Sequence, residues 1–307
     1  MNELKQPLVS IVVVTYNSSR FVFETLESVK KQTWQNIELI VTDDCSTDNT
    51  LDICGEWVEK NKERFIRAKI ITVDSNTGIP SNNNRAIKNS CGEWIKLIAG
   101  DDILLTTCIE DNLEYVDENP DARFVVSGVV EINDNGDFIN NEKEKEQKGK
   151  MLKYFFSTKT AQEQLKAYAR WPVFLNAPSF FISKKLLKEI DYFDDEYKIF
   201  DDMPLIYRVN SYGTIIQFMN KITVKYRIHD KSISRNQANS DERDKEVLTI
   251  FMKYRRRNLK KTNLIDLSVF YERWINYCWK GIRGHKGHLV LNKLSFFYWY
   301  LKLYNYN

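Results

Sequence analysis

The sequence is poor in the residues that build metal clusters and disulfide frameworks. Its 307 residues include 5 cysteines and 3 histidines, and no C-x-x-C pair occurs. Because the cysteine count is odd and the chain is long, we expect no disulfide framework and favour a reducing compartment. The histidines, His229, His285 and His288, do not interleave with cysteines. That arrangement argues against a zinc site.

Long hydrophobic runs are also missing. No stretch reaches the roughly 18 uninterrupted apolar residues that a membrane-spanning helix requires. Near the N-terminus, the run LVSIVVV at residues 8–14 gives way at once to the polar segment TYNSS. This pattern favours a buried strand over a signal peptide. We therefore expect a cytoplasmic protein that does not span a membrane.

The glycine-rich loops that commonly hold phosphate groups are absent as well. The sequence contains neither G-x-G-x-x-G after the first predicted strand nor G-x-x-x-x-G-K. Their absence disfavours a dinucleotide-dependent dehydrogenase and a P-loop NTPase. A nucleotide bound by this chain would need another way to offset its diphosphate charge, and a divalent cation held by carboxylates would serve.

Strand-like and helix-like patterns alternate over the first hundred residues. Continuous apolar, β-branched runs predict strands at residues 8–15, 37–43, 68–74 and 93–99. The segments between them carry apolar residues at helical spacing. This alternation predicts an α/β fold, in which a mostly parallel sheet is flanked by helices on both faces.

The pattern after residue 123 is less regular. A strand is predicted at 123–132, and the charged run NNEKEKEQKGK at 140–150 predicts a solvated loop. Residues 179–190 predict a strand that runs into a helix, whereas 212–219 and 222–228 predict two separate strands. From about residue 241 onward the sequence is helical, basic and aromatic.

Polar side chains gather where the predicted strands end. These are Thr15, Tyr16 and Asn17 after the first strand, Asp43 and Asp44 after the second, and Asp101 and Asp102 after the fourth. In open α/β sheets, ligands bind beyond the carboxyl ends of the strands. Helix capping would explain one such residue, but it explains the whole set poorly. Adjacent carboxylates repel each other unless a cation lies nearby, so this edge predicts a Mg²⁺ or Mn²⁺ site.

The residues at this edge carry a resemblance to a known family. The stretch VSIVVVTYNSSRFVFETLESVKKQTWQNIELIVTDDCSTDNT resembles the opening of a family 2 glycosyltransferase with the GT-A fold. NTGIPSNNNRAIKNSCGEWIKLIAGDD resembles the next block of that family, which ends in its D-x-D region. FDDMPLIYRV and YRIHDKSIS resemble its acidic E-D-x-x-L motif and its Y-R-x-H-x-x-S-x-S motif. The series covers roughly residues 7–235 in order, which is far more specific than a single D-x-D.

The resemblance implies a role for each matching position. Asp202 matches the catalytic base, and Asp201 stands where Glu is more usual. A Mn²⁺ or Mg²⁺ ion is implied at Asp101, Asp102 and His229. The implied nucleotide-binding residues are Thr15, Tyr16, Asn17, Asp43, Asp44, Asn83 and Asp101, with one Asp bonding the uracil of a UDP-sugar. Without the family match, Asp202 would be interpreted as an exposed acid at a helix N-terminus, where negative charge is favourable.

Three positions depart from the family pattern. Ala99 replaces the first Asp of the fuller D-x-D-D form, which leaves fewer carboxylates for a metal. Asn83 stands where many members carry an Arg that contacts the diphosphate. Cys45 replaces the usual Gly of D-D-G-S. These departures bear mainly on how strongly the protein depends on a metal.

The implied function is inverting transfer of a sugar from a nucleotide-sugar donor, most simply a UDP-sugar, to a glycan or lipid-linked acceptor. The resemblance places this reaction in bacterial surface polysaccharide biosynthesis. General-base catalysis at the acceptor and a Lewis acid at the diphosphate are its physical requirements. A catalytically inactive nucleotide-sugar-binding protein remains an alternative. A nucleic-acid-binding protein is a second one, because KYRRRNLKK at 253–261 is a basic stripe.

The C-terminal region differs in charge from the rest of the chain. Residues 242–307 contain 14 Lys and Arg against 5 Asp and Glu, a net charge of +9, whereas residues 1–241 carry −6. The acidic body argues against a nucleic-acid partner. We predict a catalytic domain at 1–240 and a helical, basic, aromatic region at 241–307 that docks peripherally on the inner face of the cell membrane. The alternative is that its aromatic residues pack on the catalytic domain or form a homodimer interface.

Overall fold

The fold is built around one mixed β-sheet. The structure is a computed structural model that describes residues 6–139, 142–173, 175–230, 232, 240–259 and 266. Within these residues the sheet has eight strands in the order β3-β2-β1-β4-β7-β6-β8-β5. Their bounds are β1 Val9–Thr15, β2 Ile37–Asp43, β3 Arg67–Ile71, β4 Trp94–Ala99, β5 Ile103–Leu104, β6 Phe124–Ile132, β7 Phe180–Ser183 and β8 Gln217–Arg227. The first four strands are parallel, and β7 runs antiparallel to both β4 and β6.

Helices cover both faces of this sheet, as the sequence predicts. Their bounds are α1 Val22–Lys30, α2 Thr50–Asn61, α3 Ile79–Asn89, α4 Cys108–Glu118, α5 Glu142–Phe156, α6 Ala161–Arg170, α7 Lys184–Glu189, α8 Asp202–Ser211 and α9 Ser240–Ile250. Side chains of α1, α2 and α4 pack on one face. Side chains of α3, α6, α7 and α8 pack on the other. The apolar runs of the central strands are continuous because both of their faces are buried.

The strand ends are aligned at the edge where the polar residues lie. Thr15 pairs with Asp43 across β1 and β2, and Val14 pairs with Ala99 across β1 and β4. Parallel pairing therefore brings the residues that follow β1, β2 and β4 to one edge of the sheet.

Two sequence-based predictions about secondary structure are wrong. Most of the predicted loop at 140–150 belongs to α5, because Lys and Glu are good helix formers and the last turns of α5 bury Phe155 in the core. The two strands predicted at 212–219 and 222–228 are the single strand β8. Its register against β6 shifts around Gly128. The predicted break between two strands is therefore an irregularity in the pairing of one strand.

The start of the C-terminal region packs against the same core. Ile250 and Phe251 join the cluster that covers the α8 side of the sheet. Across the part of the chain that the structure describes, no helix is both long enough and apolar enough to cross a membrane. The aromatic residues on which the membrane prediction depends, beginning with Trp274, lie outside the described residues.

Candidate active site

The ends of β1 and β2 form a hydrogen-bonded unit around Asp43. The Thr15 hydroxyl donates to Asp43 Oδ2 at 2.8 Å, and the Ser46 backbone N–H donates to Asp43 Oδ1 at 2.8 Å. Asn17 joins the unit because its backbone N–H donates to the Ser46 hydroxyl. Asp43 is fully buried, whereas the neighbouring Tyr16 is 46% exposed. The predicted nucleotide-binding residues at these two strand ends are therefore brought together.

Asp44 serves a second unit, at the loop that leads into α3. The backbone N–H groups of Thr77 and Gly78 donate to its Oδ2 at 2.9 and 2.8 Å. Arg85 of α3 forms an ion pair with its Oδ1 at 3.2 Å. Asp44 thus fixes the start of α3 relative to β2, and Arg85 places a guanidinium at this edge. Sequence analysis overlooked Arg85, although it lies two positions from the singled-out Asn83.

The carboxylates after β4 have different surroundings. His229 Nε2 lies 2.9 Å from Asp101 Oδ2, and the Asp101 side chain is 27% exposed. Asp102 is 1% exposed, and its Oδ1 accepts the Arg227 backbone N–H at 2.8 Å. Its Oδ2 has no hydrogen-bond partner among the described residues. Burial raises the pKa of Asp102, the charge of Asp101 adds to that rise, and the Arg227 N–H opposes it.

Arg227, at the end of β8, organises this part of the site. Its buried guanidinium forms a 2.7 Å ion pair with Glu24 of α1. Its Nε donates to the Asp101 carbonyl at 2.8 Å. The guanidinium also lies over the Phe21 ring, and that ring contacts the His229 imidazole as well. Arg227 therefore holds the 101–102 loop and the His229 segment in one arrangement, and no property of a single residue indicated this from the sequence.

A buried lysine lies close to Asp102. Lys96 of β4 is fully buried, and its Nζ has no hydrogen-bond partner among the described residues. Burial lowers the pKa of Lys96, while the neighbouring Cys108 and Asp102 oppose that shift. Lys96 thus lies inside the protein close enough to Asp102 to interact with it electrostatically.

The second acid pair begins α8. Asp202 is 7% exposed, and its Oδ1 accepts the Met203 N–H at 2.7 Å. Asp201 accepts the Asn83 amide at 2.8 Å. Burial raises the pKa of Asp202 to about 7, with the Asp201 charge adding to the shift, and burial also raises the pKa of Asp201 to about 6. Asp202 therefore lies at a helix N-terminus, but it is buried and not the exposed acid of the alternative interpretation.

A chain of contacts places the two acid pairs at the same edge of the sheet. A Cβ added to Gly100 would lie 2.9 Å from the Thr15 side chain, so the β4 and β1 ends touch. Asp44 holds the Gly78 loop, and the Ile79 N–H at the start of α3 donates to the Lys198 carbonyl at 2.8 Å. Asn83 then bonds Asp201 directly. The loops that carry the two acid pairs are accordingly joined by one series of contacts.

Two of the departures from the family pattern acquire a physical meaning. Asn83, predicted to contact nucleotide, is 2% exposed and binds the acid pair of α8. Cys45 has φ +68°, a left-handed conformation in which glycine is unstrained and other residues are not. Asn17 is also left-handed, at φ +51°. The turn after β2 is thus strained at Cys45, whereas Asn17 adopts a conformation that Asn tolerates.

The residues present fit a divalent cation that takes most of its ligands from other molecules. No group of three His, Cys, Asp or Glu residues that could hold a metal occurs in the described part of the chain. Asp101 and His229 offer one oxygen and one nitrogen at hydrogen-bonding distance from each other. Mg²⁺ is commonly held by one or two carboxylates together with waters and phosphate oxygens. Asp102, which was also predicted as a ligand, has only its buried Oδ2 free of a hydrogen bond.

Comparison with known proteins finds relatives over most of the chain. The sequence model named Glycosyl transferase family 2 matches residues 10–191. Glycosyltransferase GlyG of Streptococcus pneumoniae is 28% identical over 283 residues, which cover 88% of this chain and 86% of GlyG. The poly(ribitol-phosphate) beta-N-acetylglucosaminyltransferase TarS of Staphylococcus aureus is 34% identical over 113 residues, which cover 36% of this chain and 19% of TarS.

Solved structures share the fold. A crystal structure of a TarS fragment with UDP-GlcNAc has a TM-score of 0.63 at 21% identity, and the match covers 91% of this chain and 77% of that one. Mannosyltransferase PcManGT from Pyrobaculum calidifontis, in complex with GDP-Man and Mn²⁺, has a TM-score of 0.58 at 15% identity, with 81% and 64% covered. The predicted GT-A-type α/β fold is confirmed.

Proposed function

The chain belongs to glycosyl transferase family 2, and from that premise we propose that it is an inverting enzyme that uses a UDP-sugar. The sugar is transferred to a hydroxyl group of a glycan or a lipid-linked acceptor. The observation that carries the proposal is the contact chain that joins the Asp201–Asp202 pair to the Asp101–His229 pair at one sheet edge. An inverting transfer needs a proton acceptor and a site for an anionic leaving group, and these pairs suit the two tasks.

Asp202 is the proposed general base. In the transfer, its carboxylate takes the proton of the acceptor hydroxyl while that oxygen forms a bond to the anomeric carbon of the donor. The bond from the anomeric carbon to the diphosphate breaks, and the diphosphate leaves with the electron pair. Burial raises the pKa of Asp202 to about 7, which makes the carboxylate a stronger base than an exposed Asp and leaves about half of it ionised at pH 7.

The nucleotide pocket is proposed at the ends of β1 and β2. Each oxygen of Asp43 and Asp44 already accepts a hydrogen bond from within the protein. Asp43 Oδ1 accepts only the Ser46 N–H, so a uracil N–H could use its second lone pair, whereas each Asp44 oxygen already accepts two hydrogen bonds. Tyr16, whose side chain is 46% exposed, offers the accessible aromatic surface for the base.

A divalent cation would be held by Asp101 and His229. When bound, Mn²⁺ or Mg²⁺ supplies positive charge that neutralises the leaving diphosphate. Arg85 is a second cation at the same edge, although Asp44 partly neutralises it. Complexes of two other proteins support separate parts of the proposal, since PcManGT was crystallised with Mn²⁺ and TarS with UDP-GlcNAc, a UDP-sugar.

The acceptor and the location complete the proposal. The name of TarS describes transfer to poly(ribitol-phosphate), which supports a polymeric acceptor and a role in polysaccharide synthesis. Peripheral membrane contact through residues 241–307 and formation of a homodimer stay predictions. The nucleic-acid alternative loses support, because Lys253 and Arg255 of the basic stripe bond to groups within the protein.

A donor screen tests the proposal. Purified protein is incubated with UDP-, GDP- and dTDP-sugars, with and without Mn²⁺, and release of the nucleotide is measured. We expect UDP release that requires the cation and is absent from the Asp202→Asn variant. NMR of the product should show the β configuration from an α-linked donor. An α product would exclude inversion, and UDP binding without turnover of any donor would favour the inactive binding protein.

Membrane docking has its own test. The full-length protein is sedimented with anionic and with neutral vesicles at low and high salt. Binding to anionic vesicles that weakens with salt is expected, because each basic residue near such a surface contributes about 1 kcal/mol. If the protein stays in the supernatant with anionic vesicles at low salt, the membrane prediction is wrong.

A further inference from the structure

One carboxylate of the C-terminal region reaches the segment that precedes the catalytic acids. Glu246 of α9 accepts the Lys198 N–H with Oε1 at 2.6 Å. Its Oε2 accepts the Ile199 and Phe200 N–H groups, each at 3.1 Å. These are three successive backbone amides, and the next residue is Asp201. Hydrogen bonds to an ionised carboxylate are stronger than those between neutral groups, so this contact holds the segment firmly.

The opposite side of the same segment touches the nucleotide end of the site. The Lys198 carbonyl accepts the Ile79 N–H at 2.8 Å. Gly78 lies so close that a Cβ at that position would come within 2.7 Å of Lys198 Cα. Segment 198–200 is therefore held between the loop that Asp44 fixes and the carboxylate of Glu246. Neither contact is made by the acids themselves, but both determine where α8 begins.

Glu246 is itself held in place, because α9 and the turn that follows it are anchored at several points. Lys253 forms 2.8 Å ion pairs with both Asp194 and Glu196. Arg255 donates to the Ala169 carbonyl at the end of α6 at 2.5 Å. Ile250 is 1% exposed. The position of Glu246 thus follows from the docking of the whole helix.

We propose that Glu246 is a positioning residue for the catalytic acids, through which the docked C-terminal helix sets the place of Asp202. The inference rests on the proposed function, in which Asp202 is the general base. Removing the carboxylate would leave three N–H groups without their acceptor and release segment 198–200. A misplacement of about 1 Å in a catalytic group costs about 100-fold in rate. Activity would therefore depend on a helix that belongs to the C-terminal region and not to the matched family segment at 10–191.

The first test measures the contact directly. Hydrogen exchange at the amides of 198–200 is compared in the wild type, in Glu246→Gln and in the control Glu242→Gln. Glu242 lies one turn earlier on α9 and is exposed. Glu246→Gln introduces an amide donor among N–H donors, so faster exchange is expected in this variant alone. In Glu246→Asp, which keeps the charge on a shorter side chain, the exchange rate should lie between those of the wild type and Glu246→Gln.

The second test measures the effect on the acids. Asp202 and its neighbours Asp201 and Tyr168 are the titratable groups that interact here. In Glu246→Gln, water should reach Asp202, and its pKa, followed by carbon-13 NMR of the Asp carboxyl groups, should fall from about 7 toward the ordinary Asp value. Turnover at saturating substrates should fall about 10- to 100-fold, while the affinity for UDP stays unchanged.

The results separate this inference from the proposed function. Glu246→Gln can match Glu242→Gln in amide exchange, in the titration of Asp202 and in turnover. In that case Glu246 does not position the catalytic acids. If Glu246→Gln loses UDP affinity in the same proportion as turnover, its role is general folding, and the inference is again overturned. If Asp202→Asn itself retains turnover, the assignment of the base fails. In that case the exchange result still reports whether Glu246 holds the segment.

Discussion

The two acid pairs of this protein have similar sequences and different surroundings. Asp101 and Asp102 lie among nitrogen groups, since the His229 imidazole contacts the first, and the Arg227 backbone N–H and the buried Lys96 lie close to the second. No ion pair involves Asp201 or Asp202 among the described residues. Their partners are instead an amide and a backbone N–H.

The difference shows that burial and hydrogen-bond partners give the four carboxylates different chemical properties. Asp101 is partly exposed and lies beside an imidazole, so its carboxylate is accessible to a cation. The α8 pair is buried without a counter-ion, so it holds a proton up to near-neutral pH and can exchange it with an acceptor. The same two-residue sequence therefore suits charge neutralisation at one place and proton transfer at the other.

The largest expected effect is on Asp202. Asp202→Asn should lower turnover about 1000-fold, within the range that a general base contributes. UDP affinity should not change, because the proposed nucleotide pocket lies at the ends of β1 and β2. Asp195→Asn, an exposed acid on the preceding loop, is the control. If the turnover of Asp202→Asn stays within tenfold of the wild type, the general base does not belong to the Asp201–Asp202 pair.

The next effect separates the two members of the β4 pair. Asp101→Asn should weaken Mn²⁺-dependent UDP binding about 10- to 100-fold, as loss of a group close to a metal commonly does. Asp102→Asn should weaken it less, because the Asn oxygen can still accept the Arg227 N–H and a buried charge is removed. Calorimetric titration of UDP with and without Mn²⁺ measures both variants. Equal losses would mean that Asp102 is also a metal ligand.

A smaller effect concerns the pH dependence of stability. The pKa values of Asp201 and Asp202 are raised in the folded state to about 6 and 7. Between pH 4 and pH 7 the folded protein therefore binds more protons than the unfolded chain, and its stability falls as pH rises.

The pKa of Asp102 is also raised, and this makes stability fall with pH in the same way. The wild type is therefore compared with the double variant Asp201→Asn/Asp202→Asn, which keeps Asp102. Between pH 5 and pH 8 the free energy of unfolding of the wild type should fall by at least about 1 kcal/mol more than that of the double variant, since one pKa unit corresponds to about 1.4 kcal/mol. Urea unfolding at both pH values measures this. Equal changes would show that the α8 acids are not protonated in this range.

The smallest effect tests the amide that contacts the α8 pair. Asn83→Ala removes a hydrogen bond that lowers the pKa of Asp201. A protonated Asp201 no longer raises the pKa of Asp202 through its charge, so the acidic limb of the rate profile should move to lower pH by less than about one unit. Relative to the wild type, turnover should therefore change more at pH 6.5 than at pH 9. Ser81→Ala on the same helix is the control. A loss that is equal at both pH values would indicate a contact with substrate instead.

The sequence predicts the first half of the fold well and the second half less well. Strands β1, β2 and β4 are buried on both faces, so their apolar runs have a length and a composition that few other structures share. Helix α5 was predicted to be a loop because its first half is charged, and only the packing of Phe155 distinguishes it. The single strand β8 was divided in two because its exposed positions break the apolar pattern.

By itself, the sequence determined the family, the α/β alternation and the gathering of acids at one sheet edge, because these depend on local periodicity and on motifs that are continuous in the chain. Only the tertiary structure decided how each acid is used. Arg227 and His229 approach Asp101 and Asp102 from more than 120 positions away, and Asn83 reaches Asp201 across 118. Burial and pKa shifts arise from such distant neighbours. Residues as ordinary in sequence as Arg85, Lys96 and Glu246 therefore became significant only when the fold brought them beside the acids.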